Sequence, residues 1–217
     1  MRNRLKAMIA IAVCTCLLQG CGTPKQANDL QNTHSIEVGD KEKKAKSNIR
    51  LMEKKLTYTI NGEEKEETAF LKESDNQYFS LYVLENYEFT AEEPRKDMLF
   101  SKDDSSIFMR MELLNNTVNM KEQEKNAILQ VQALHHDVQK VTPPQGEKWL
   151  TNAKIYTAEK ANEKVTAYLI PHHNTIIKLT IFTKLDNDHT DAFLKMAETI
   201  EKKVRSSSVG VSSRPIH

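Results

Sequence analysis

The sequence predicts an α+β domain, with a mostly antiparallel sheet and two main helices packed on it. Most apolar segments alternate with polar residues, which is the period of a β-strand, and short turn signals connect them. Two longer segments instead carry apolar residues at helical spacing, one in the middle of the chain and one near its end.

The folded part is predicted to begin near Leu51. Apolar and polar residues alternate up to Ile60, which indicates a strand. The Asn61-Gly62 pair that follows is typical of a two-residue hairpin turn. We expect a solvated run of glutamates next, and then a return strand that ends near Leu71.

The next strands are predicted in two groups. One or two strands occupy 79–89, which is rich in aromatic residues, and they end before Pro94 because proline cannot donate in a sheet ladder. The polar cluster at 102–106 then indicates a hairpin turn between strands at 98–100 and 107–114.

The first main helix is predicted over 119–140, and the Pro-Pro-Gln-Gly segment at 143–146 ends it. Its apolar residues recur at helical spacing on one face. They are Ala127, Ile128, Val131, Leu134 and Val138.

Three more strands are predicted at 153–158, 164–170 and 175–183. The acidic turn at 186–188 can cap a final helix over 190–204. In the last of the three strands an alternating set should face the core, and it consists of Ile177, Leu179 and Ile181.

The N-terminus is predicted to be an export signal. Three basic residues precede an apolar run at 7–18. As a helix this run would span about 18 Å, which is shorter than the ~30 Å hydrocarbon core of a bilayer. It is therefore too short for a comfortable transmembrane helix.

The four residues that close this run, Leu18-Gln19-Gly20-Cys21, resemble the lipobox of bacterial lipoproteins. The resemblance implies that Cys21 becomes the first mature residue and carries a diacylglyceryl group and an N-linked acyl chain such as palmitate. Two or three acyl chains would anchor the protein durably at the extracytoplasmic face of the cell membrane. The alternative is an ordinary secretory signal cleaved nearby.

This assignment gives four segments. Residues 1–20 are the lipoprotein signal peptide, and 21–50 are the lipidated cysteine and a flexible tether with a span of ~30 Å. Residues 51–204 are a single α+β domain, and 205–217 are a disordered tail.

Cysteine content and net charge exclude several kinds of site and partner. Cys14 and Cys16 lie in the signal, so the mature chain keeps only the thiol of Cys21, which carries lipid. No disulfide, thiol nucleophile or cysteine metal site is then expected. The formal net charge of +1 falls to −2 when the three basic residues of the signal are removed, which argues against nucleic acid as a partner.

The segment from Tyr87 to Ile200 is similar to the PsbP/Mog1 family of α-β-α sandwiches. The likeness lies in the Asn-Tyr-Glu-Phe stretch at 86–89 before Pro94, in the helix before Trp149, and in the closing strands followed by 196–200. The resemblance implies an assembly or binding accessory protein, but none of the family's binding residues can be placed on this chain.

Active-site motifs are missing from the sequence. It contains no Gly-x-Ser-x-Gly, Ser-x-x-Lys or His-Glu-x-x-His pattern. The folded part has two glycines, Gly62 and Gly146, which are too few for a phosphate-binding loop. A calcium loop starting at Asp186 fails because residues 191 and 197 are not the required glycine and glutamate. No catalytic residue and no cofactor are therefore predicted.

Two histidine pairs remain as candidates for metal binding. His172 and His173 follow Pro171 between two strands, where a turn could bring both imidazoles together, and the alternative is that they are polar turn residues. His135 and His136 are expected near the end of the first helix. Neighbouring helical residues point about 100° apart, so this pair cannot readily chelate one ion.

Aromatic residues are concentrated near the third predicted strand. At strand spacing they favour the core, with a ligand platform as the alternative. They are Tyr78, Phe79, Tyr82, Tyr87 and Phe89. Trp149 is expected either to fill the core or to be an exposed anchor.

Three classes of function follow. The preferred class is a non-enzymatic binding or assembly module, held to the membrane through Cys21, with an envelope protein as a candidate partner. The second is a small-ligand-binding lipoprotein that serves a transporter. The third is an envelope hydrolase that uses paired carboxylates, for which Asp103 and Asp104 are candidates.

Overall fold

The structure, a computed structural model, describes residues 50–203. The predicted signal peptide, Cys21, the tether up to residue 49, residue 204 and the predicted tail at 205–217 lie outside the described residues. The described part contains strands β1 (Glu53–Ile60), β2 (Glu63–Glu73), β3 (Phe79–Leu84), β4 (Tyr87–Glu93), β5 (Lys96–Ser101), β6 (Phe108–Asn115), β7 (Gln139–Val141), β8 (Lys154–Lys160), β9 (Glu163–His172), β10 (Thr175–Lys184) and β11 (Glu201–Lys202). The helices are α1 (Met120–Gln132) and α2 (Thr190–Ala197), with a 3₁₀ turn at Lys148–Leu150.

The strands form two antiparallel sheets. The small sheet has the order β1-β2-β3-β11, and the large sheet has the order β4-β5-β6-β10-β9-β8-β7. This confirms the predicted class, a mostly antiparallel β structure with two helices, but the division into two sheets was not predicted. The chain passes from one sheet to the other at the two-residue link between β3 and β4.

The large sheet is buried on both faces because its strands alternate between two cores. The main core lies between the two sheets and α2, and it includes Ile177, Leu179 and Ile181 as predicted. The second core lies under α1 and includes Val165 and Ile176 from the opposite face of β9 and β10.

Most predicted hairpins are confirmed. Asn61 and Gly62 connect β1 to β2 with φ angles of 53° and 83°, which is the left-handed conformation that this turn requires. The glutamate run lies within β2 as solvated strand residues. The hairpin formed by β5 and β6 and the three strands β8 to β10 also lie where the sequence predicts them.

The ends of both helices were predicted wrongly. Helix α1 ends at Gln132 rather than at residue 140, and the segment that follows forms β7 against β8. Leu134 and Val138 still pack against the second core. The apolar spacing therefore predicted their burial, while the edge of β8 set a different backbone conformation.

Helix α2 similarly ends at Ala197 rather than at residue 204. The next residues turn back, and β11 pairs with β3. The hydroxyl of Thr199 accepts the N–H of Tyr82 at 2.8 Å. Backbone donors at this edge of β3 are satisfied by the chain after the helix, which a helix-period pattern cannot show. Neither helix in 50–203 is long and apolar enough to cross a membrane.

Candidate functional site

The histidine pair His172–His173 lies in the turn between β9 and β10. The two ring centroids are 4.3 Å apart, so the predicted juxtaposition is present. Burial, followed by the neighbouring His173, lowers the pKa of His172. Within residues 50–203, however, no three histidine, cysteine or acidic side chains are grouped to hold a metal ion.

The other pair, His135–His136, lies beyond the end of α1 rather than inside the helix as predicted. Its ring centroids are 6.5 Å apart. The Nδ1 atom of His135 accepts the N–H of Asp137 at 3.2 Å. This pair is therefore part of a local turn.

The candidate carboxylates Asp103 and Asp104 lie in the turn between β5 and β6. Asp104 accepts hydrogen bonds from the Lys184 ammonium at 2.5 Å and from the Ser106 hydroxyl at 2.6 Å. These hydrogen bonds, with that of Lys184 the strongest, lower the pKa of Asp104 to about 2. A carboxyl held ionised in this way is unsuited to be the general acid of a glycosidase-type pair.

Asp186, Asp188 and His189 lie just before or at the start of α2, and their side chains form hydrogen bonds with neighbouring protein groups. Asp188 accepts the N–H of Thr190 at 2.8 Å, but the N-cap of α2 is His189, whose side chain makes no cap hydrogen bond, so the acidic turn precedes the helix without supplying its N-cap. The buried His189 contacts the Tyr87 hydroxyl through Nδ1 at 2.7 Å and Asn187 Oδ1 through Nε2 at 3.0 Å. With the amide oxygen as acceptor, Nε2 carries the proton and Nδ1 accepts from tyrosine.

Contacts from the β1–β2 hairpin complete this end of the molecule. Asp191 accepts the N–H of Thr59 at 2.6 Å. Asn61 donates to the carbonyl of Asp186 at 3.1 Å and accepts the N–H of Asp188 at 2.8 Å. The β5–β6 turn lies at the same end, since Asp104 pairs with Lys184 at the end of β10. We call this region, formed by 58–62, Tyr87, 103–106 and 186–193, the paired end.

A cleft of about 760 Å³ lies at the opposite ends of the same strands. We call it the cationic cleft because four basic side chains line it. Its lining comprises Asn76, Gln77, Tyr78, Pro94, Arg95, Lys96, Glu112, Leu113, Leu114, Asn115, Thr117, Val118, Lys202 and Lys203. Four segments that are distant in sequence therefore build one concave surface.

The charges of this cleft are only partly compensated. Lys96 pairs with Glu93 at 2.9 Å, and Lys203 pairs with Glu73 at 2.5 Å. Arg95 and Lys202 have no carboxylate within ion-pair distance in the described part of the chain. The only acidic residue in the lining, Glu112, pairs with Lys178 at 2.8 Å.

Two residues of the cleft have strained backbones. Tyr78 and Arg95 have φ angles of 56° and 68°, in the left-handed region that costs a side chain about 1–2 kcal/mol. Arg95 is the second residue of a two-residue turn after Pro94, a position where glycine or asparagine is usual in a type II turn. The same left-handed conformation occurs at Ala161 and His173 in two other hairpin turns of the described part, so it does not by itself mark a functional site.

A buried carboxylate, Asp97, holds the turn that carries Tyr78. Its Oδ2 atom accepts from the Ser74 hydroxyl at 2.9 Å and from the Gln77 amide at 2.6 Å. Gln77 also accepts the N–H of Leu113 at 2.8 Å, which ties the turn to β6. Asp97 is 1% exposed and its Oδ1 has no partner, and burial raises its pKa.

The aromatic residues divide between core and cleft. Phe79, Tyr82 and Tyr87 are buried in the main core, and Phe89 packs against it, as the core interpretation predicts. Tyr78 is 54% exposed and belongs to the cleft instead. Trp149 is half-buried against the main core, which favours its interpretation as a core residue.

Sequence reasoning missed the cationic cleft. Its basic residues form two adjacent pairs, Arg95-Lys96 and Lys202-Lys203, which lie in ordinary charged stretches and are far apart along the chain. One available signal was the Pro94-Arg95 pair, where a tight turn places a charged side chain at a position that favours glycine.

Comparison with known families shows that the chain belongs to the family described as Domain of unknown function (DUF8580), which matches residues 50–182. No curated protein matches the sequence.

Two solved structures are similar at a low level. A crystal structure from Bacteroides thetaiotaomicron VPI-5482 has a TM-score of 0.37 and 10% identity, over 59% of this chain and 46% of that one. This chain therefore spans about half the length of that structure. The solution structure of cyanobacterial PsbP (CyanoP) from Synechocystis sp. PCC 6803 has a TM-score of 0.37 and 7% identity, over 61% of this chain and 91% of that one. The predicted likeness to PsbP is matched by this weak structural resemblance.

Proposed function

We propose that this protein is a non-enzymatic binding module, anchored through lipid on Cys21 at the extracytoplasmic face of a bacterial membrane. The proposal joins the lipobox resemblance at 18–21 to the surface of the folded domain. The binding site is the cationic cleft, and its occupant presents negative charge.

The cationic cleft carries this proposal because it combines uncompensated charge with strain. Arg95 and Lys202 are exposed without acidic partners, and Arg95 holds a left-handed conformation that folding alone does not favour. Glycine would adopt this backbone conformation without strain, and no side chain is required at Arg95 to fill the core. Binding supplies a reason to keep the arginine.

The anchor is tested by fractionating cells that express the wild-type protein or the Cys21→Ala variant. We expect the wild type in the membrane fraction and the variant in the soluble or medium fraction. If the variant remains as membrane-bound as the wild type, the anchor assignment is wrong.

The binding surface is tested by placing a photoreactive amino acid in the full-length protein in cells. Thr117 is exposed in the cationic cleft, and Ser105 is a matched exposed position in the turn between β5 and β6 at the paired end. We expect cross-linked adducts from position 117 and few from position 105. Equal yields at both positions would contradict the assignment of the cationic cleft as the binding surface.

A further inference from the structure

The last described residue, Lys203, lines the cationic cleft, and the first, Arg50, contacts β3 and the chain before β11 near it. The guanidinium of Arg50 donates to the Ser80 carbonyl at 2.8 Å and to the Thr199 carbonyl at 2.7 Å. The N–H of Lys203 donates to the carbonyl of Tyr78, a residue of the cleft, at 2.8 Å. Because Arg50 is fixed against β3, the predicted tether joins the domain at the same end as the cleft.

Two large apolar side chains are exposed at this junction. Leu51 and Met52 are 77% and 72% exposed. Their backbone is nevertheless fixed, since the Leu51 carbonyl accepts the Tyr82 hydroxyl and the Met52 carbonyl accepts the N–H of Leu71, each at 2.8 Å. These contacts are with β3 and β2, next to the point where the described chain begins. Exposed apolar side chains that accompany basic residues are typical of surfaces that bind membrane interfaces.

We propose that the cationic cleft, together with Leu51 and Met52, docks the domain onto the anionic lipid headgroups of the membrane that anchors it. This inference rests on the proposed function, because it names the partner of the same cleft. The charge distribution supports the orientation. Among the described residues of the paired end, Asp188 pairs with Lys164 at 3.0 Å, while Asp186 and Asp191 have no basic side chain within ion-pair distance. A negative membrane surface would therefore attract the end that carries the cleft more strongly than the paired end.

We expect the cationic cleft to bind anionic headgroups weakly when the protein is not anchored, and to be largely occupied by them when it is. Each basic residue near an anionic surface raises the partition onto it about five-fold, so Arg95 and Lys202 together supply about 25-fold. The tether predicted from the sequence would give an effective concentration in the millimolar range, at which weak contacts become occupied. A headgroup surface also fits the exposure of Arg95 and Lys202 better than a free anion, which would require an enclosing site.

The test uses the full-length, lipidated protein reconstituted into vesicles. Since Cys21 carries lipid and the other cysteines lie in the signal, a Thr117→Cys variant takes one fluorescent label in the cleft. A Ser105→Cys variant gives the matched label at the paired end. Energy transfer to a dye on lipid headgroups is compared in phosphatidylcholine vesicles with and without phosphatidylglycerol, at low and high salt.

We expect phosphatidylglycerol to raise transfer at position 117 several-fold, and high salt to abolish this rise, while transfer at position 105 stays low. Charge reversal by Arg95→Glu with Lys202→Glu should remove the rise. Reversal of two exposed lysines near the other end, Lys65→Glu with Lys160→Glu, should leave it intact. Circular dichroism and urea midpoints verify that both double variants are folded.

Equal transfer at the two label positions, or no response to phosphatidylglycerol, would overturn the docking proposal. A response of the label at position 117 to free glycerol phosphate without vesicles, together with lipid transfer that ignores charge, would overturn it in favour of a soluble ligand. Flotation of the protein with vesicles at high salt reports the lipid anchor separately. The basic side chains would bind headgroups even without acyl chains on the protein. Protein that is not anchored should therefore still show salt-sensitive energy transfer from position 117 when the lipid concentration is high.

Discussion

The two ends of the strands differ in the charge of their side chains and in how those side chains are paired. At the paired end, Tyr87, Asn187, His189 and Asp191 bind one another or the backbone. At the end that carries the cationic cleft, Arg95 keeps its charge uncompensated and its backbone strained. Left-handed backbone also occurs in the β8–β9 turn, at Ala161, so the charges are what distinguish the two ends. We propose that the paired end contributes mainly to stability and the cleft to binding.

The largest expected difference comes from removing one aromatic ring at each end. Phe193 is fully buried and packs edge-to-face on Tyr87 with ring centroids 5.2 Å apart. We expect Phe193→Ala to lower the free energy of unfolding by about 3–5 kcal/mol because it leaves a cavity. Tyr78→Ala in the cleft should cost less than about 1 kcal/mol. Urea unfolding measures both, and equal losses would remove the contrast between the ends.

Substitution of Asp97 should have the next largest effect on the free energy of unfolding, and it should also change how that free energy depends on pH. Asp97→Ala removes the acceptor for Ser74 and Gln77 and should cost about 1–3 kcal/mol. In the wild type, the raised pKa means that the folded state keeps a proton that the unfolded state loses above the ordinary pKa of 3.8. Its contribution to stability is therefore full below that value and is lost as the pH rises through the folded-state pKa.

Asp97→Asn separates the two contributions, since asparagine cannot ionise but its Oδ1 can still accept hydrogen bonds. We expect this variant to lose less stability than Asp97→Ala and to show a smaller fall in stability as the pH rises above 3.8. Urea unfolding across that pH range measures the slope. An unchanged slope would show that Asp97 does not titrate in this way.

Tyr87→Phe tests the closed network of the paired end. It removes the hydroxyl and leaves the Nδ1 atom of His189 buried without a donor, so we expect a loss of about 1–2 kcal/mol. Burial also lowers the pKa of His189, so the unfolded state takes up more protons below its ordinary pKa of 6.5. The wild type should lose stability as the pH falls below that value, and His189→Gln should reduce this dependence in urea unfolding.

The smallest expected effect is a gain in stability rather than a loss. Arg95→Gly relieves the left-handed backbone and should raise the free energy of unfolding by up to about 1 kcal/mol, after the entropic cost of glycine is subtracted. Arg95→Lys keeps both the strain and the charge, so its stability in urea should match that of the wild type. If Arg95→Gly is less stable than both, the arginine is structural rather than retained for binding.

The sequence predicted the sheet well and the functional surface poorly, for physical reasons. Hairpin turns such as Asn61-Gly62 and the alternation through β8 to β10 are local signals, so the elements themselves were predictable. The ends of α1 and α2 depended on hydrogen bonds offered by distant strand edges, and local apolar spacing does not report those edges.

The cationic cleft could not be predicted from the sequence for a related reason. Arg95, Thr117 and Lys202 come together only once β5, β6 and β11 have taken their places in two different sheets. The His172–His173 juxtaposition was predicted correctly because both residues lie in one short turn. A site within one turn is visible in sequence, whereas a site assembled across sheets requires the topology.

Amide hydrogen exchange of the lipidated protein on anionic vesicles tests the central claim most directly. Exchange is measured at both ends of the domain, on vesicles with and without phosphatidylglycerol. We predict that phosphatidylglycerol slows exchange at 94–96 and 115–118, in the cationic cleft, and leaves 61–62 and 103–106 at the paired end unchanged. Slower exchange at the paired end, or no change at the cleft, would contradict the assignment of the cationic cleft as the binding surface.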